Sequence, residues 1–296
     1  MNSDYGLSFI VPAYNEERSI LNTLESLYKA LRSANIEFEI ILVNDGSTDR
    51  TVEHVKELKW LKIINHPISI GYGNSIKSGI KNAEYDWIGI VDADGTYPVE
   101  DTPILIKEMQ NGFDMVIGSR INIYTFDRPL KKVSRWIFNA MMKLLFNKEI
   151  QDPNSGFRIF KKSVSLNLLP FLCGTFSFTT SLTILSFGLS HFIKYIPTQY
   201  AKREGKSKVR HLKDGLMTLL LIIQGMTFFN PIKFFLLLSI LIVIVVCIPA
   251  MVLAAIGWHT LSLYYMIFGA TVSVTLAIGV LGDIIRISAS QKNENN

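Results

Sequence analysis

The chain has 296 residues, 49% of them apolar and only 19% charged, with 30 Lys and Arg against 25 Asp and Glu for a net charge of +5. This balance excludes a disordered segment or a nucleic-acid-binding tail, and it is too mixed for a pure channel. The two cysteines, Cys173 and Cys247, stand far apart and exclude a disulfide framework or a cysteine-based zinc site.

The charge is segregated. Residues 1–110 carry 10 Lys and Arg against 17 Asp and Glu, whereas residues 111–296 carry 20 against 8. An acidic first part and a basic second part suit a metal-dependent site followed by an anion-binding or membrane-facing surface. Ordinary solvated charge is the plain alternative.

In chain order, polar Met1–Gly6 and the short apolar run Leu7–Val11 do not read as a signal peptide. Leu7–Pro12 and Phe38–Asn44 are apolar, β-branched runs ending in turn residues, as buried parallel strands do. Trp87–Val91 and Met115–Ile117 repeat the pattern. Helical spacing fills the intervals: Ser19–Leu31 with Ile20, Leu24, Leu27 and Leu31 on one stripe, then Thr51–Leu58, Ser75–Ala83 and Ile104–Met109. Alternation of this kind predicts an α/β fold, a mostly parallel sheet with helices on both faces. Ligands of such sheets bind beyond the carboxyl ends of the strands.

Four polar clusters fall on that rim: Pro12–Glu16, Asn44–Asp49, Asp92-Ala93-Asp94-Gly95 and Gly118-Ser119-Arg120. The dinucleotide fingerprint fails, because Ile76 stands where the third glycine belongs. Residues two apart on extended chain point the same way, so Asp92 and Asp94 can converge on one hard cation. Mg²⁺ and Mn²⁺ take such carboxylates together with water and substrate phosphates.

Toward the C-terminus, Phe234–Ile256 and Leu261–Leu281 are 23 and 21 residues without a charge. Each is long enough to cross a bilayer, Pro249 should kink the first, and residues 257–260 link them as a hairpin. Lys202, Arg203, Lys206, Lys208, Arg210, Lys213 and Lys233 precede the hairpin, Arg286 and Lys292 follow it, and the link has no basic residue. The positive-inside rule therefore predicts both ends, and the N-terminal region, in the cytoplasm. Leu212–Phe229, apolar but broken by Lys213, Asp214 and Gln224, reads as an amphipathic interfacial helix. The expected organisation is a catalytic domain at 1–210, the interfacial helix at 211–230, transmembrane helices at 231–258 and 261–287, and a tail at 288–296.

The ordered motifs Phe9–Glu16, Val43–Asp49, Asp92–Pro98, Gly118-Ser119-Arg120 and Gln151–Arg158 closely resemble the family 2 glycosyltransferases with a Rossmann-like GT-A fold. The subgroup most similar is the polyprenyl-phosphate glycosyltransferases, of the dolichol-phosphate mannose synthase kind. The likeness runs from about Leu7 to about Lys208. It implies inverting transfer of a sugar from a nucleotide-diphosphate sugar to undecaprenyl or dolichyl phosphate on the cytoplasmic leaflet, with Mg²⁺ or Mn²⁺ as cofactor. The implied partners are donor, lipid acceptor and bilayer, with no nucleic acid, and a homo-oligomer is left open. A bacterial or archaeal plasma membrane is the implied location.

By the same resemblance, Pro12, Ala13, Tyr14, Glu16, Asp45, Lys77 and Asp92 hold the donor, and Asp92 and Asp94 hold the metal. Where the dolichol-type branch often has Gln two positions after the second Asp, this chain has Thr96, and water is an alternative third ligand. Arg120, Ser134, Arg135, Arg203 and Lys208 are implied at the acceptor phosphate, with Lys131 and Lys132 competing for Arg135's place. Asp94, Arg120 and Asp152 form the implied catalytic set, Asp152 as either base or orienter of the acceptor. A phosphate monoester with its second pKa around 6 is already nucleophilic at cytosolic pH, so a strong base is not required.

Each residue also has a structural reading. Glu16 can favour a helix start, Asp45-Gly46 a turn, and Asp49 a cap. Arg120 can pair with an acid, and Arg203, Lys206 and Lys208 can contact lipid headgroups. Two other functions stay open: a transferase using a hydroxyl acceptor with Asp152 as base, and a non-catalytic nucleotide-binding membrane scaffold.

Overall fold

A computed structural model describes residues 5–121, 140, 143, 150–175, 177–201, 223 and 231–294. Lys131, Lys132, Ser134, Arg135, Arg203 and Lys208 lie outside the described residues, as does the expected interfacial helix Leu212–Phe229 apart from Ile223. The chain forms two compact units, Met1–Gly215 and Leu216–Asn296.

The first unit is built on a sheet of seven strands among the described residues. These are β1 (Leu7–Ala13), β2 (Phe38–Asn44), β3 (Leu61–Asn65), β4 (Trp87–Ile90), β5 (Met115–Arg120), β6 (Arg158–Lys161) and β7 (Ile193–Thr198). Their spatial order is β3-β2-β1-β4-β6-β5-β7. β6 alone runs antiparallel to its neighbours, and the other described pairings are parallel. The mostly parallel sheet is thus as expected, while β3, β6 and β7 are additions.

β1 and β2 read as unbroken apolar runs because helices cover both faces. Side chains alternate: Phe9 and Val11 enter one core with Leu24, Leu27 and Leu31, whereas Ile10 enters the other with Ile76 and Ile80. The covering helices are α1 (Ile20–Ser33), α2 (Tyr72–Asn82), α3 (Thr102–Gln110), α4 (Lys162–Leu166) and α5 (Phe178–Gly188). The predicted helix at Thr51–Leu58 is instead a chain of turns. Its backbone mixes three-residue bonds (Val52 to Val55, Val55 to Leu58) with four-residue ones (Arg50 to His54). Only Thr51 and Val55 are buried in it, too short a stripe to hold a regular helix against the sheet.

α5 carries buried Thr179, Thr180, Ser181, Thr183 and Ser186. The Thr183 hydroxyl donates back to the Thr179 carbonyl at 2.8 Å and Ser181 to Phe178 at 2.8 Å, while Thr180 donates out of the helix to Asn154 and Ser186 is buried with no partner among the described residues.

The second unit contains α6 (Pro231–Ile242), a π-helical turn at Val243–Cys247, α7 (Ile248–Ala255) and α8 (His259–Glu294). That π turn ends two residues ahead of Pro249, where a kink was expected. Proline has no N–H to offer the carbonyl four residues back, which is that of Val245. Tyr265 of α8 donates its hydroxyl there instead, at 3.1 Å, and Ser262 donates to Ala250 at 2.7 Å. Gly269 lets the helices approach, since a Cβ at that position would come within 2.3 Å of Val246. The connection is shorter than predicted: His259 and Thr260 already belong to α8, and Gly257, at φ 88°, makes the turn.

Phe234–Ala255 and His259–Gly282 are long and apolar enough to cross a membrane, and only 6% and 11% of them is buried. The core helix of a soluble protein would be mostly buried. Such exposed apolar surface indicates membrane association.

Candidate active site

The loop after β1 and the loop after β2 lock together. Asn15, at φ 53°, accepts the Thr48 amide on its side chain at 2.8 Å, and its own amide donates to Ser47 at 3.0 Å. The Glu16 amide donates to Thr51 at 2.9 Å, and the Glu17 amide to Asp49 at 3.2 Å. Asp49 also accepts the Thr51 hydroxyl. Pro12 and Ala13 are buried, while Tyr14 is exposed.

Asp45 is 4% exposed and accepts four hydrogen bonds. They come from His66 Nδ1 (2.9 Å), the Ser69 hydroxyl (2.7 Å) and the amides of Ile70 and Gly71 (2.9 Å each). That is the full capacity of a carboxylate. Burial alone would raise the Asp45 pKa; the bonds from His66, Ile70, Ser69 and Gly71 outweigh it and leave the group below its ordinary range. In this conformation Asp45 shapes the loop entering α2. Gly46, at φ 69°, is required beside it, because a Cβ would meet the Ile68 and Ser69 backbone at 2.8 Å.

Lys77, expected at the donor, donates its ammonium to the Leu172 carbonyl at 2.6 Å, and burial lowers its pKa. The period of α2 turns position 77 toward the 172–174 segment rather than toward the strand ends.

Asp92 and Asp94 follow β4. Asp92 accepts the Tyr72 hydroxyl at 2.8 Å. Its carboxylate lies against Gly156, where a Cβ would sit 2.5 Å from Oδ1. Asp94 lines a cleft of about 830 Å³ with Asn15, Glu16, Asp49, Thr96 and Tyr200. Thr96, at the position where the resemblance suggested a third ligand, is 1% exposed and donates its hydroxyl to Asp94 Oδ1 at 2.6 Å. It orients Asp94 from behind. Among the described residues no group of three His, Cys, Asp or Glu could cage a metal. Two hard carboxylates suit a cation that keeps water and substrate phosphates as its other ligands, although of the two only Asp94 lines the cleft.

Two strands away, Arg120 ends β5. Its guanidinium grips Asp152 edge-on, Nε to Oδ2 at 2.7 Å and Nη2 to Oδ1 at 2.8 Å, and its amide adds a bond to Oδ2 at 3.1 Å. The side chains are 11% and 2% exposed. Arg120 also lies 5.2 Å from the ring of Tyr200, which meets Tyr97 edge-on at 5.0 Å. The Tyr97 hydroxyl accepts the Gly156 amide at 2.8 Å, and burial lifts its pKa well above the usual range, partly offset by Arg120.

The 152–156 loop is held by Arg158, fully buried on β6. Its guanidinium donates to the carbonyls of Pro153 (3.0 Å), Ser155 (3.0 Å) and Thr179 (3.1 Å), and to the Thr183 hydroxyl (2.8 Å). The Ser155 hydroxyl donates to Gly118 at 2.6 Å, tying that loop to β5. Sequence reasoning passed over Tyr72, Tyr97, Gly156, Arg158 and Tyr200. Tyr97, Gly156 and Arg158 lay inside quoted motifs, but nothing in their local spacing marked the contacts they make.

The family model for glycosyl transferase family 2 matches residues 8–169. An undecaprenyl-phosphate 4-deoxy-4-formamido-L-arabinose transferase of Proteus mirabilis is 28% identical over 94% of this chain and 88% of its own. A dolichol-phosphate mannosyltransferase of Pyrococcus furiosus is 33% identical over 53% of this chain and 47% of its own. A dolichyl-phosphate beta-glucosyltransferase, ALG5A, of Trichomonas vaginalis is 31% identical over 53% of each. The chain thus spans about half the length of the two dolichol-type relatives. Among solved structures, glucosyl-3-phosphoglycerate synthase of Mycobacterium tuberculosis, in complex with Mn²⁺, UDP-glucose and phosphoglyceric acid, superposes with a TM-score of 0.59. It covers 76% of this chain and 79% of that one at 16% identity, which establishes the GT-A fold. With the family model spanning more than half of its length, the chain belongs to glycosyl transferase family 2.

Proposed function

We propose that this glycosyltransferase moves a sugar from a nucleotide-diphosphate sugar to a polyprenyl phosphate, with its catalytic unit at the cytoplasmic face of a membrane. The observation that carries the reading is the Arg120–Asp152 pair, a nearly buried guanidinium immobilised two strands from Asp94. Arginine recognises phosphate through its planar fork, and fixing that fork beforehand lowers the cost of binding. The two exposed apolar helices and the relatives named for undecaprenyl and dolichyl phosphate substrates support a lipid acceptor.

On this reading Arg120 draws the acceptor phosphate in and offsets its repulsion from the donor's diphosphate. A phosphate oxygen attacks the anomeric carbon, the bond to the diphosphate oxygen breaks, and the configuration inverts. Asp152 orients Arg120; with both oxygens on the guanidinium it is badly placed as a base, which disfavours the hydroxyl-acceptor reading. Asp92 and Asp94 would hold Mg²⁺ or Mn²⁺, which when bound supplies charge stabilisation for the departing diphosphate. Tyr72 and Thr96 fix those two carboxylates. Tyr14, Asn15, Glu16 and the backbone of Pro12 and Ala13 would face the nucleotide. Arg203, Lys208, Ser134 and Arg135 remain proposed acceptor contacts on the strength of the resemblance alone, and the domain limits given from the sequence stand as proposed.

The test is incubation of the purified full chain with radiolabelled UDP- and GDP-sugars, with and without undecaprenyl phosphate and Mn²⁺. Label entering the organic phase only when both lipid and cation are present is the expected result. Label appearing on a water-soluble acceptor, or transfer indifferent to added lipid, would overturn the reading.

A further inference from the structure

A relay of hydrogen bonds runs beneath the cation half of the site, and His66 stands at its head. His66 follows β3, and its amide donates to the Asn44 carbonyl at 2.9 Å, which sets its ring beside Asp45. Nδ1 lies 2.9 Å from Asp45 Oδ1, and Nε2 lies 3.0 Å from the Ser78 hydroxyl on α2. An ionised carboxylate can only accept, so Nδ1 carries the proton and donates to Asp45, leaving Nε2 to accept from Ser78. Asp45 in turn holds the amides of Ile70 and Gly71, each at 2.9 Å, and the Ser69 hydroxyl at 2.7 Å. Gly71, at φ 101°, opens α2, and the next residue, Tyr72, donates its hydroxyl to Asp92 Oδ1 at 2.8 Å. β1 lies between β2 and β4, so the first turn of α2 reaches from Asp45 beyond β2 to Asp92 beyond β4. Each Asp45 oxygen already accepts twice, Oδ1 from His66 and Ile70 and Oδ2 from Ser69 and Gly71. A base N–H could bind there only by displacing one of these donors.

We propose that Asp45, with His66 behind it, is a positioning residue of the cation site: it fixes the start of α2 so that Tyr72 holds Asp92, and it does not read the donor's base. This rests on the assignment of Asp92 to the cation made above. It moves Asp45 from the nucleotide, where the resemblance put it, into the frame of the site, and it gives a role to His66, which lies outside the sequence motifs. The imidazole ties α2 down at two places, at its first residue through Asp45 and one and a half turns later through Ser78. Groups that orient a metal ligand from behind act on its affinity for the ion without touching the ion themselves.

The test is Mn²⁺ binding to the purified full chain in detergent, followed by electron paramagnetic resonance with pyrophosphate and, separately, with UDP. Pyrophosphate has no base, so it reports the cation site alone. Asp45→Asn should weaken both complexes by the same factor, about 3- to 10-fold. Tyr72→Phe should weaken both about tenfold. The double variant should bind no worse than Tyr72→Phe, because two changes along one path are not additive. His66→Leu should show the same pattern as Asp45→Asn, and His66→Asn, whose amide nitrogen takes the place of Nδ1, should restore binding. That pair carries the test if Asp45→Asn melts early. Loss confined to the UDP complex would make Asp45 a base contact and overturn the inference. So would wild-type binding in Asp45→Asn or His66→Leu, a His66→Asn variant no better than His66→Leu, or losses that multiply in the double variant. Asp92→Asn is the control on the assignment beneath: Mn²⁺ binding unchanged by that variant would remove Asp92 from the cation site, and the positioning role would fall with it.

Discussion

The two halves of the sheet solve the same problem differently. On the β1, β2 and β4 side, rim carboxylates are held by amides, hydroxyls and an imidazole. Asp45 takes two amides, a hydroxyl and an imidazole, Asp92 a phenol, and Asp94 the Thr96 hydroxyl. On the β5, β6 and β7 side, charges are held by charge and burial. Arg120 faces Asp152, and Arg158 is buried among carbonyls. The first arrangement leaves net negative charge at the rim, suited to a cation. The second keeps a fixed guanidinium ready for an anion. A transferase that must bring two anions together needs both, and the fold separates them by the single antiparallel strand β6.

The sharpest way to break the comparison is Arg120→Ala. It leaves Asp152 buried without its partner, for an expected loss of about 3–5 kcal/mol, read as a large drop in melting temperature, together with loss of transfer. Arg120→Met combined with Asp152→Leu should recover most of that stability and none of the activity, because a buried pair is often replaceable by packed apolar groups.

Next in size is Gly156→Ala, whose Cβ would displace the Asp92 carboxylate from 2.5 Å. It should weaken Mn²⁺ binding with UDP about tenfold or more while leaving the melting temperature within a few degrees of wild type.

Asp45→Asn tests the β1, β2 and β4 side through pH. An amide cannot accept from all four donors, so about 1–3 kcal/mol should be lost at pH 7. The folded-state pKa of Asp45 lies below the unfolded value. The wild-type advantage is therefore fully present above about pH 4 and fades as pH falls through the folded pKa. Melting curves of both proteins between pH 3 and 7 should converge at the acid end.

The smallest effect belongs to the helical unit. Tyr265→Phe removes the bond to Val245 and should cost about 0.6 kcal/mol, up to about 1.7, seen as a slight drop in thermal stability in detergent.

The parallel half was also the legible half. Leu7–Ala13, Phe38–Asn44 and Trp87–Ile90 are buried on both faces, and such strands write themselves as apolar runs. The strands that escaped notice are half-exposed, short or irregular. β3 sits at one edge with no buried residue, β7 at the other edge contains Pro197, and β6 is four residues beginning with a buried arginine. α5 hid behind its hydroxyls, which look like loop chemistry until their backbone partners are known.

The same division holds for the site. Asp92, Asp94, Arg120 and Asp152 were visible as residues because their motifs are local. That Arg120 and Asp152 hold each other, across 32 positions, was not visible, nor was the bond from the Ala201 amide back to the Thr96 carbonyl. The bond from Lys77 to the Leu172 carbonyl, across 95 positions, was no more visible.

The role of Asp152 is the point on which the mechanism turns, and the direct measurement is the pH dependence of sugar transfer to undecaprenyl phosphate by Asp152→Asn. If Asp152 only holds Arg120, the variant keeps measurable turnover with a raised lipid KM. Its rate then rises with pH along the same limb near 6 as the wild type, since that limb belongs to the acceptor phosphate. Complete loss of turnover with lipid binding retained, or disappearance of that limb, would make Asp152 the base and contradict the account.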